Sequence, residues 1–595
     1  MRPVRSGERG MIGLFDIVIE DALVIDGSGK EPYKSDVGIS GTQVEKIGDL
    51  EGSEAAKRID AGGRVVCPGF IDVHSHADLT MFRDDAAVLL QPLVRQGITT
   101  FVGGNCGMSL APITDEHHEG LKTYLEIFTQ MDFDTAIKWK SMGEFLDHVE
   151  GKGLLLNMAP LVPHGMLRIS ALGLEDRPAD TGAMEMMKWL LEESMEAGAF
   201  GLSTGLQYFP GLFSDTAELV ELAGSLPRYG GIFTSHLRSY TSSTLGKAID
   251  EIGEVARANG IRGQVSHIFS VPWAGPVHPL ALKGLKWMCR HPDFTLKVAP
   301  DFILDMSMNV VLKRLEKNRQ NGADMAMDVM PTTAGFTHLL AFFPPWVLTG
   351  DRQKVLERIC DPGQRKEMLR DIEKGKPTWP HRGKNDWSLN IMRQMGWDAV
   401  TIMAVNSEEN KHLEGRLFTD IAEERGKHPF DVMCDLLIEE DGQVLVFESM
   451  SEPDDAFTER YTFPALQDPR TMITTDTILM GVGKPSYLFY GCYPKFIGRY
   501  VNEKGLVDMP EAVRRLTSMP AEFFGIEKRG LVKEGYYADL LLMDPEAFST
   551  EACFRDPERY PTGLDTVIIN GTTVVENGEA VPGALGGMVL RKNAQ

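Results

Sequence analysis

The stretch VVCPGFIDVHSHADL, residues 65–79, decides how the rest of the chain is read. Val65, Val66 and Cys67 form an apolar run suited to a buried strand, Pro68-Gly69 turns the chain, and Phe70-Ile71-Asp72-Val73 resumes extended structure. This strand delivers His74 and His76 two positions apart. Such residues share one face of an extended segment, so both imidazoles can converge on one metal ion. By itself an HxH pair can equally be two polar residues ending a strand. Here it is joined downstream by a cysteine, two further strand-end histidines and an aspartate, and the metal reading follows from the combination.

Outward from this stretch the pattern divides in two. Residues 15–66 alternate short apolar strands with turns, among them Phe15 to Ile19, Ala22 to Asp26 and Val44 to Ile47. The C-terminal region reads alike: Ala538 to Asp544, then Val567-Ile568-Ile569, Asn570-Gly571 and Thr573-Val574-Val575, an Asn-Gly hairpin between apolar runs. The expectation is one small β-sandwich domain formed by both chain termini, residues 14–66 and 530–585. Between them, residues 67–529 alternate strand and helix. Strands are predicted at Ile98 to Val102, Leu154 to Leu161, Ala199 to Ser203, Ile232 to His236, Gln264 to His267, Met325 to Val329 and Met472 to Asp476, and an amphipathic helix at Thr181 to Ala197. About eight such strands imply an α/β fold, a (β/α)8 TIM barrel whose chemistry sits where the strands end. Residues 271–300 and 345–465 are too long for ordinary loops and are expected to be insertions, the second a long lid-like one with Trp346, Trp379, Trp387 and Trp397. Packing or oligomer contacts are the other use for such segments.

Three more strand ends carry the chemistry. Cys106 stands in Gly103-Gly104-Asn105-Cys106-Gly107, directly after the strand that ends at Val102, and a thiolate is a good zinc ligand. His236 ends Phe233-Thr234-Ser235-His236, and His267 ends Gln264-Val265-Ser266-His267. Asp476 ends Ile473-Thr474-Thr475-Asp476, where a carboxylate can take a proton from metal-bound water and pass it to a leaving nitrogen. Together these residues describe metal-assisted hydrolysis of a carbonyl attached to nitrogen or oxygen. His164, after the strand through Leu161, is at the right end to line the site. His117, His118, His278, His291, His381, His412 and His428 lie in polar or irregular contexts and read as solvated.

Composition narrows the class. A net charge of −24 over 595 residues argues against nucleic acid or an anionic membrane as partner. No apolar run reaches the roughly 20 residues of a membrane span, and the N-terminal arginines precede no apolar leader segment. The seven cysteines are sparse and unpatterned, which points to a reducing, cytoplasmic setting rather than a disulfide framework.

PGFIDVHSHADL, GNCGMSLAP, GAFGLSTGLQYFPG, TSHLRS, QVSH and RGLVKEGYYADLLLMDP together resemble the amidohydrolase superfamily, specifically its D-aminoacylase (N-acyl-D-amino-acid deacylase) branch, from about residue 14 to 585. The resemblance implies that Cys106, His236 and His267 hold a tightly bound zinc. It further implies that His74 and His76 belong to a second, weaker position, with Asp476 as ligand and catalytic acid/base. The chain departs from the family at His267-Ile268-Phe269, where His-His-Lys is usual, and at Met330-Pro331-Thr332, Ala334-Gly335-Phe336-Thr337, Thr475-Asp476-Thr477 and Tyr240. These changes make the pocket less polar and remove groups suited to an amino-acid carboxylate; Tyr208, Arg238, Phe269 and His164 remain as candidate substrate contacts.

The expected activity is zinc-dependent deacylation of a small-molecule linear amide, an N-acyl-D-amino acid or a more hydrophobic N-acyl amine. A hydantoinase- or dihydroorotase-like hydrolase of cyclic amides is the alternative on the same centre. A non-catalytic barrel scaffold is the alternative from another class, and metal analysis separates it. A homo-oligomer is a further expectation.

Overall fold

The computed structural model describes residues 14–129, 133–376, 378–379, 387–478 and 481–592. The N-terminal arginines and His381 lie outside the described residues. Five strands open the chain: β1 (Phe15–Val24), β2 (Tyr33–Ser40), β3 (Gln43–Gly48), β4 (Ala55–Asp60) and β5 (Val65–Pro68). β1 pairs antiparallel with β2 and parallel with β4 and β5.

After the Pro68-Gly69 turn the pairing becomes parallel. β6 (Phe70–Asp72), β7 (Ile98–Gly103) and β8 (Asn157–Pro160) form one parallel set. β9 (Val162–Pro163), β10 (Gly201–Gly205), β11 (Ile232–His236), β12 (Arg262–Val265) and β13 (Asp324–Val329) follow in order in a second. Between β13 and the last strand of that set comes a separate three-stranded antiparallel sheet, β14 (Gly335–His338), β15 (Val400–Ala404) and β16 (Leu445–Glu448), with β16 in the middle. β17 (Thr471–Ile473) then pairs with β13.

The two parallel sets are joined at both margins. β8 and β9 are separated only by Leu161, whose N–H donates to Gly103 O (2.9 Å). At the other margin Asp476 N–H donates to His74 O (2.9 Å) and His76 N–H to Thr477 O (2.8 Å). Ile71, Val73, Val102, Ala159, Ile232, Ala326 and Met472, from most of these strands, meet in one buried cluster. Apolar residues at helical spacing cover the outside; the helix Leu245–Asn259 buries Ala248, Ile249, Ile252, Val255 and Ala256.

The chain end returns to the first sheet. β18 (Leu540–Met543) pairs antiparallel with β5, and β19 (Leu564–Ile569), β20 (Thr572–Glu576) and β21 (Glu579–Ala580) extend a nine-stranded sheet shared by both ends of the chain. Ile17, Ile39 and Val44 pack there with Leu540, Leu542 and Ile568. Residues 271–300 prove to be part of the β12-to-β13 crossover, through helices His278–Arg290, Pro292–Val298 and Asp301–Gln320, which expose Leu280, Trp287, Phe294 and Phe302. His278 is a correction. It is buried, and its Nε2 donates to Gln394 O (2.9 Å), because its helix packs on residues 390–395 rather than facing water. No helix of the described residues is long and apolar enough to cross a membrane.

Candidate metal centre

His74, His76, Cys106, His236, His267 and Asp476 are brought together at the ends of the parallel strands, and each is at most 8% exposed. Three overlapping sets have their donor atoms within 4.8 Å of one another: His74, His76 and Cys106; Cys106, His236 and His267; His74, His267 and Asp476. Cys106 Sγ lies 3.6 Å from His267 Nε2 and 3.7 Å from His236 Nδ1. Tetrahedral zinc with ordinary Zn–S and Zn–N lengths sets sulfur and nitrogen about 3.6 Å apart. The two imidazole nitrogens are 3.0 Å apart, so this donor set fits such an ion with shifts of a few tenths of an ångström. On the other side of the cluster His74 Nε2 is 3.2 Å from the same sulfur, and both His74 Nε2 and His76 Nε2 are 3.4 Å from Asp476 Oδ1.

The backbone at three of these residues is unusual. Cys106, His267 and Asp476 have φ of 52°, 33° and 54°. Among the described residues, five of the six other non-glycine residues with positive φ are Asp or Asn, types that tolerate it well. Left-handed backbone at a cysteine costs about 1–3 kcal/mol, and such outliers cluster at functional sites. Glycine makes the Cys106 turn fit: Gly104 has φ 79°, and a Cβ on it would stand 2.4 Å from Leu161 O. A Cβ on Gly205 would stand 2.1 Å from Cys106 O.

Hydrogen bonds around the cluster set the tautomers. His236 Nε2 is 2.9 Å from Gln207 Oε1, an acceptor, so Nε2 carries the proton and the Nδ1 lone pair faces the cluster. Tyr240 Oη donates to Ser266 O and receives Leu237 N–H, so toward His267 Nδ1, 3.1 Å away, it accepts, which leaves Nε2 free. Burial, and behind it the neighbouring imidazoles, hold His74 and His236 well below the usual histidine range; burial also lowers His267. The rings are therefore neutral and ready to bind a cation. Burial, with Asp476 and Asp328 adding to it, holds the Cys106 thiol well above its usual range; a divalent cation reverses that and ionises it.

Of the four candidate substrate contacts, Tyr208 and Phe269 line the cavity over the cluster. Arg238 and His164 do not. The Arg238 guanidinium is forked onto Glu251 and donates to Leu212 O (3.0 Å), and His164 Nε2 pairs with Glu218 Oε1 at 2.9 Å. A buried polar group needs a close partner, and both residues find it in the surrounding helices rather than in the cavity, Arg238 as an ion pair and His164 as a hydrogen-bond donor. Sequence reasoning missed Gln207 and took Tyr240 only for a lost polar group. It also passed over Asp328, which accepts His267 N–H (2.6 Å) and is pushed up to about 8 by burial, and Asp72. Asp72 accepts from Thr474, Thr475 and His74 N–H, tying β6 to the segment after β17. A carboxylate ending an apolar strand was the signal for Asp328, the same one that pointed to Asp476.

The Amidohydrolase family model matches residues 465–575. Over 584 residues the chain is 29% identical to an N-acyl-D-glutamate deacylase of Alcaligenes xylosoxydans xylosoxydans, covering 97% of each chain. It is 27% identical over 580 residues to a D-aminoacylase of the same organism, covering 98% of each. A solved D-aminoacylase, from work on the role of its binuclear metal centre, superposes with a TM-score of 0.71 at 26% identity, over 97% of this chain and 100% of the other. By these similarities the chain is an enzyme resembling the amidohydrolases, with an α/β fold. Within that class the chain is a relative of the D-aminoacylases over nearly its whole length, as its motifs implied.

Proposed function

We propose that this chain is a zinc-dependent hydrolase of linear amides that removes the acyl group from an N-acyl-D-amino acid or a more hydrophobic N-acyl amine. The parallel strands are read as a closed (β/α)8 barrel over residues 67–529, and the terminal sheet as its companion β-sandwich domain. The observation that carries the reading is the Cys106–His236–His267 donor set, spaced for a tetrahedral ion, with Asp476 beside it. These three residues would hold the tight zinc, and His74, His76 and Asp476 a weaker position.

When bound, a divalent ion supplies Lewis acidity, polarising the scissile carbonyl and easing deprotonation of the attacking water. Asp476 takes the proton of that water as its oxygen bonds to the carbonyl carbon. The same carboxyl then delivers the proton to the amide nitrogen as the C–N bond breaks, releasing a carboxylate and an amine. Its Oδ1 is buried and makes no hydrogen bond among the described residues, so it is free for this exchange. Tyr208, whose ring lies 4.7 Å from that of His236, and Phe269 wall the cavity beside the reacting amide.

The test is zinc analysis joined to a substrate screen of N-acyl-D- and L-amino acids, N-acyl amines and cyclic imides, with products identified by mass. Zinc near one equivalent and cleavage of a linear amide, lost on chelation and restored by zinc, is the expected result. Turnover confined to cyclic imides, or activity indifferent to chelation, rules the reading out.

A further inference from the structure

The cavity over the metal centre has an apolar wall of Met108, Phe128, Phe269, Met330, Phe336 and Ile478, and none of its lining residues is Lys or Arg. Apart from Asp476 its one charged group is Glu448, at the end of the middle strand β16. Glu448 sits opposite Gly335 in the ladder, and the missing side chain there makes room for it: a Cβ on Gly335 would stand 2.8 Å from Glu448 Oε1. Oε2 is buried with no hydrogen-bond partner, and no cation pairs with the carboxyl among the described residues. Burial alone pushes it up to about 7. A buried carboxyl left without a partner is costly, and a site that holds one open gains from a ligand that supplies the donor.

We infer that Glu448 is a specificity residue that receives an ammonium or N–H donor on the non-reacting end of the substrate, so that the preferred substrates are mono-N-acylated diamines and amino amides rather than N-acyl amino acids. The inference rests on the amide-hydrolase reading and deepens it by naming the substrate class. A carboxylate end meets no cation in this cavity and is repelled by Glu448, whereas an ammonium end makes a charge-assisted hydrogen bond there. The apolar wall accommodates the alkyl spacer between the two ends.

The experiment compares, on the zinc-loaded enzyme, an N-acetylated diaminoalkane, an N-acetylated amino amide and an N-acetylated amino acid of matched chain length. The expected order of kcat/KM is ammonium, then amide, then carboxylate. Glu448→Gln lowers the ammonium-to-carboxylate ratio by about 10- to 100-fold, the worth of a charge-assisted hydrogen bond. Gly335→Ala, which crowds the carboxyl from the neighbouring strand, shifts the ratio the same way by a smaller factor. Preference for the carboxylate substrate in the parent enzyme, or a ratio unmoved by Glu448→Gln, overturns the inference. If none of the three is cleaved, the amide-hydrolase reading fails instead, and calorimetric binding of the same compounds then decides for Glu448. Tighter binding of the ammonium compound that is lost in Glu448→Gln upholds the subsite, and equal binding rejects it.

Discussion

His236 and His267 are supported from behind, whereas His74 and His76 are not. Gln207 and Tyr240 take the outer N–H of His236 and His267, which fixes each ring's tautomer and aims its free lone pair at the thiol. The Nδ1 atoms of His74 and His76 are buried with no hydrogen-bond partner among the described residues. Outer hydrogen bonds raise a ligand's basicity and hold its orientation, so the proposed zinc would be held more tightly by the first half of the cluster than by the second. Asp476 Oδ1 lies 3.4 Å from both histidines of that second half and makes no hydrogen bond among the described residues; a carboxyl locked by hydrogen bonds could not pass a proton back and forth.

The largest expected effect breaks the tight half outright. Cys106→Ala or His236→Ala should lose zinc by metal analysis and turnover with it, while His76→Ala keeps close to one equivalent. Equal zinc loss in His76→Ala would erase the distinction between the halves. Next, Asp476→Asn should keep the tight zinc and lose about 10²- to 10⁴-fold in kcat, the contribution of general acid–base catalysis. A near-normal kcat in that variant removes Asp476 from its assigned role. Smaller again, Tyr240→Phe and Gln207→Leu should each weaken zinc binding about 10- to 100-fold, measured by competition with a chromophoric chelator, with the fold unchanged by circular dichroism. Unchanged affinity in both would mean that the support behind the rings does not set the difference.

The six members of the cluster were legible because each ends an apolar run, and parallel strands carry such ends to one side. Strand limits were less so: the strand expected from Leu154 begins at Asn157, since Leu154 bridges instead to Gly587 near the chain terminus, a contact invisible in local pattern. Arg238 and His164 misled for a related reason. Both follow strand ends, but buried Glu251 and Glu218, 13 and 54 residues further along the chain, capture them. Tyr240 was read by what it replaced, and only the path of the loop after β11 brings its hydroxyl to His267. Periodicity specifies which face a residue takes; it does not specify which of several long-range partners wins a buried charge.

Phe269 tests whether the support behind His267 and the selectivity of the cavity can be separated. Its ring stacks on Tyr240 with centroids 4.1 Å apart and 9° between planes, so the same side chain walls the substrate cavity and braces the residue that orients His267. Phe269→Lys removes a stack worth about 0.5–1.5 kcal/mol and sets an ammonium where a carboxylate-ended substrate would lie. Two opposed changes are expected: a gain of a few-fold in kcat/KM on N-acyl-D-amino acids, and zinc binding a few-fold weaker because Tyr240 is less firmly held. Measured at saturating zinc, the gain should survive; at limiting zinc it should vanish. Phe269→Leu, which loosens Tyr240 without adding charge, should show the weaker zinc binding and no gain. If Phe269→Lys is folded, zinc-saturated and still no better on N-acyl-D-amino acids, the apolar wall is not what excludes them.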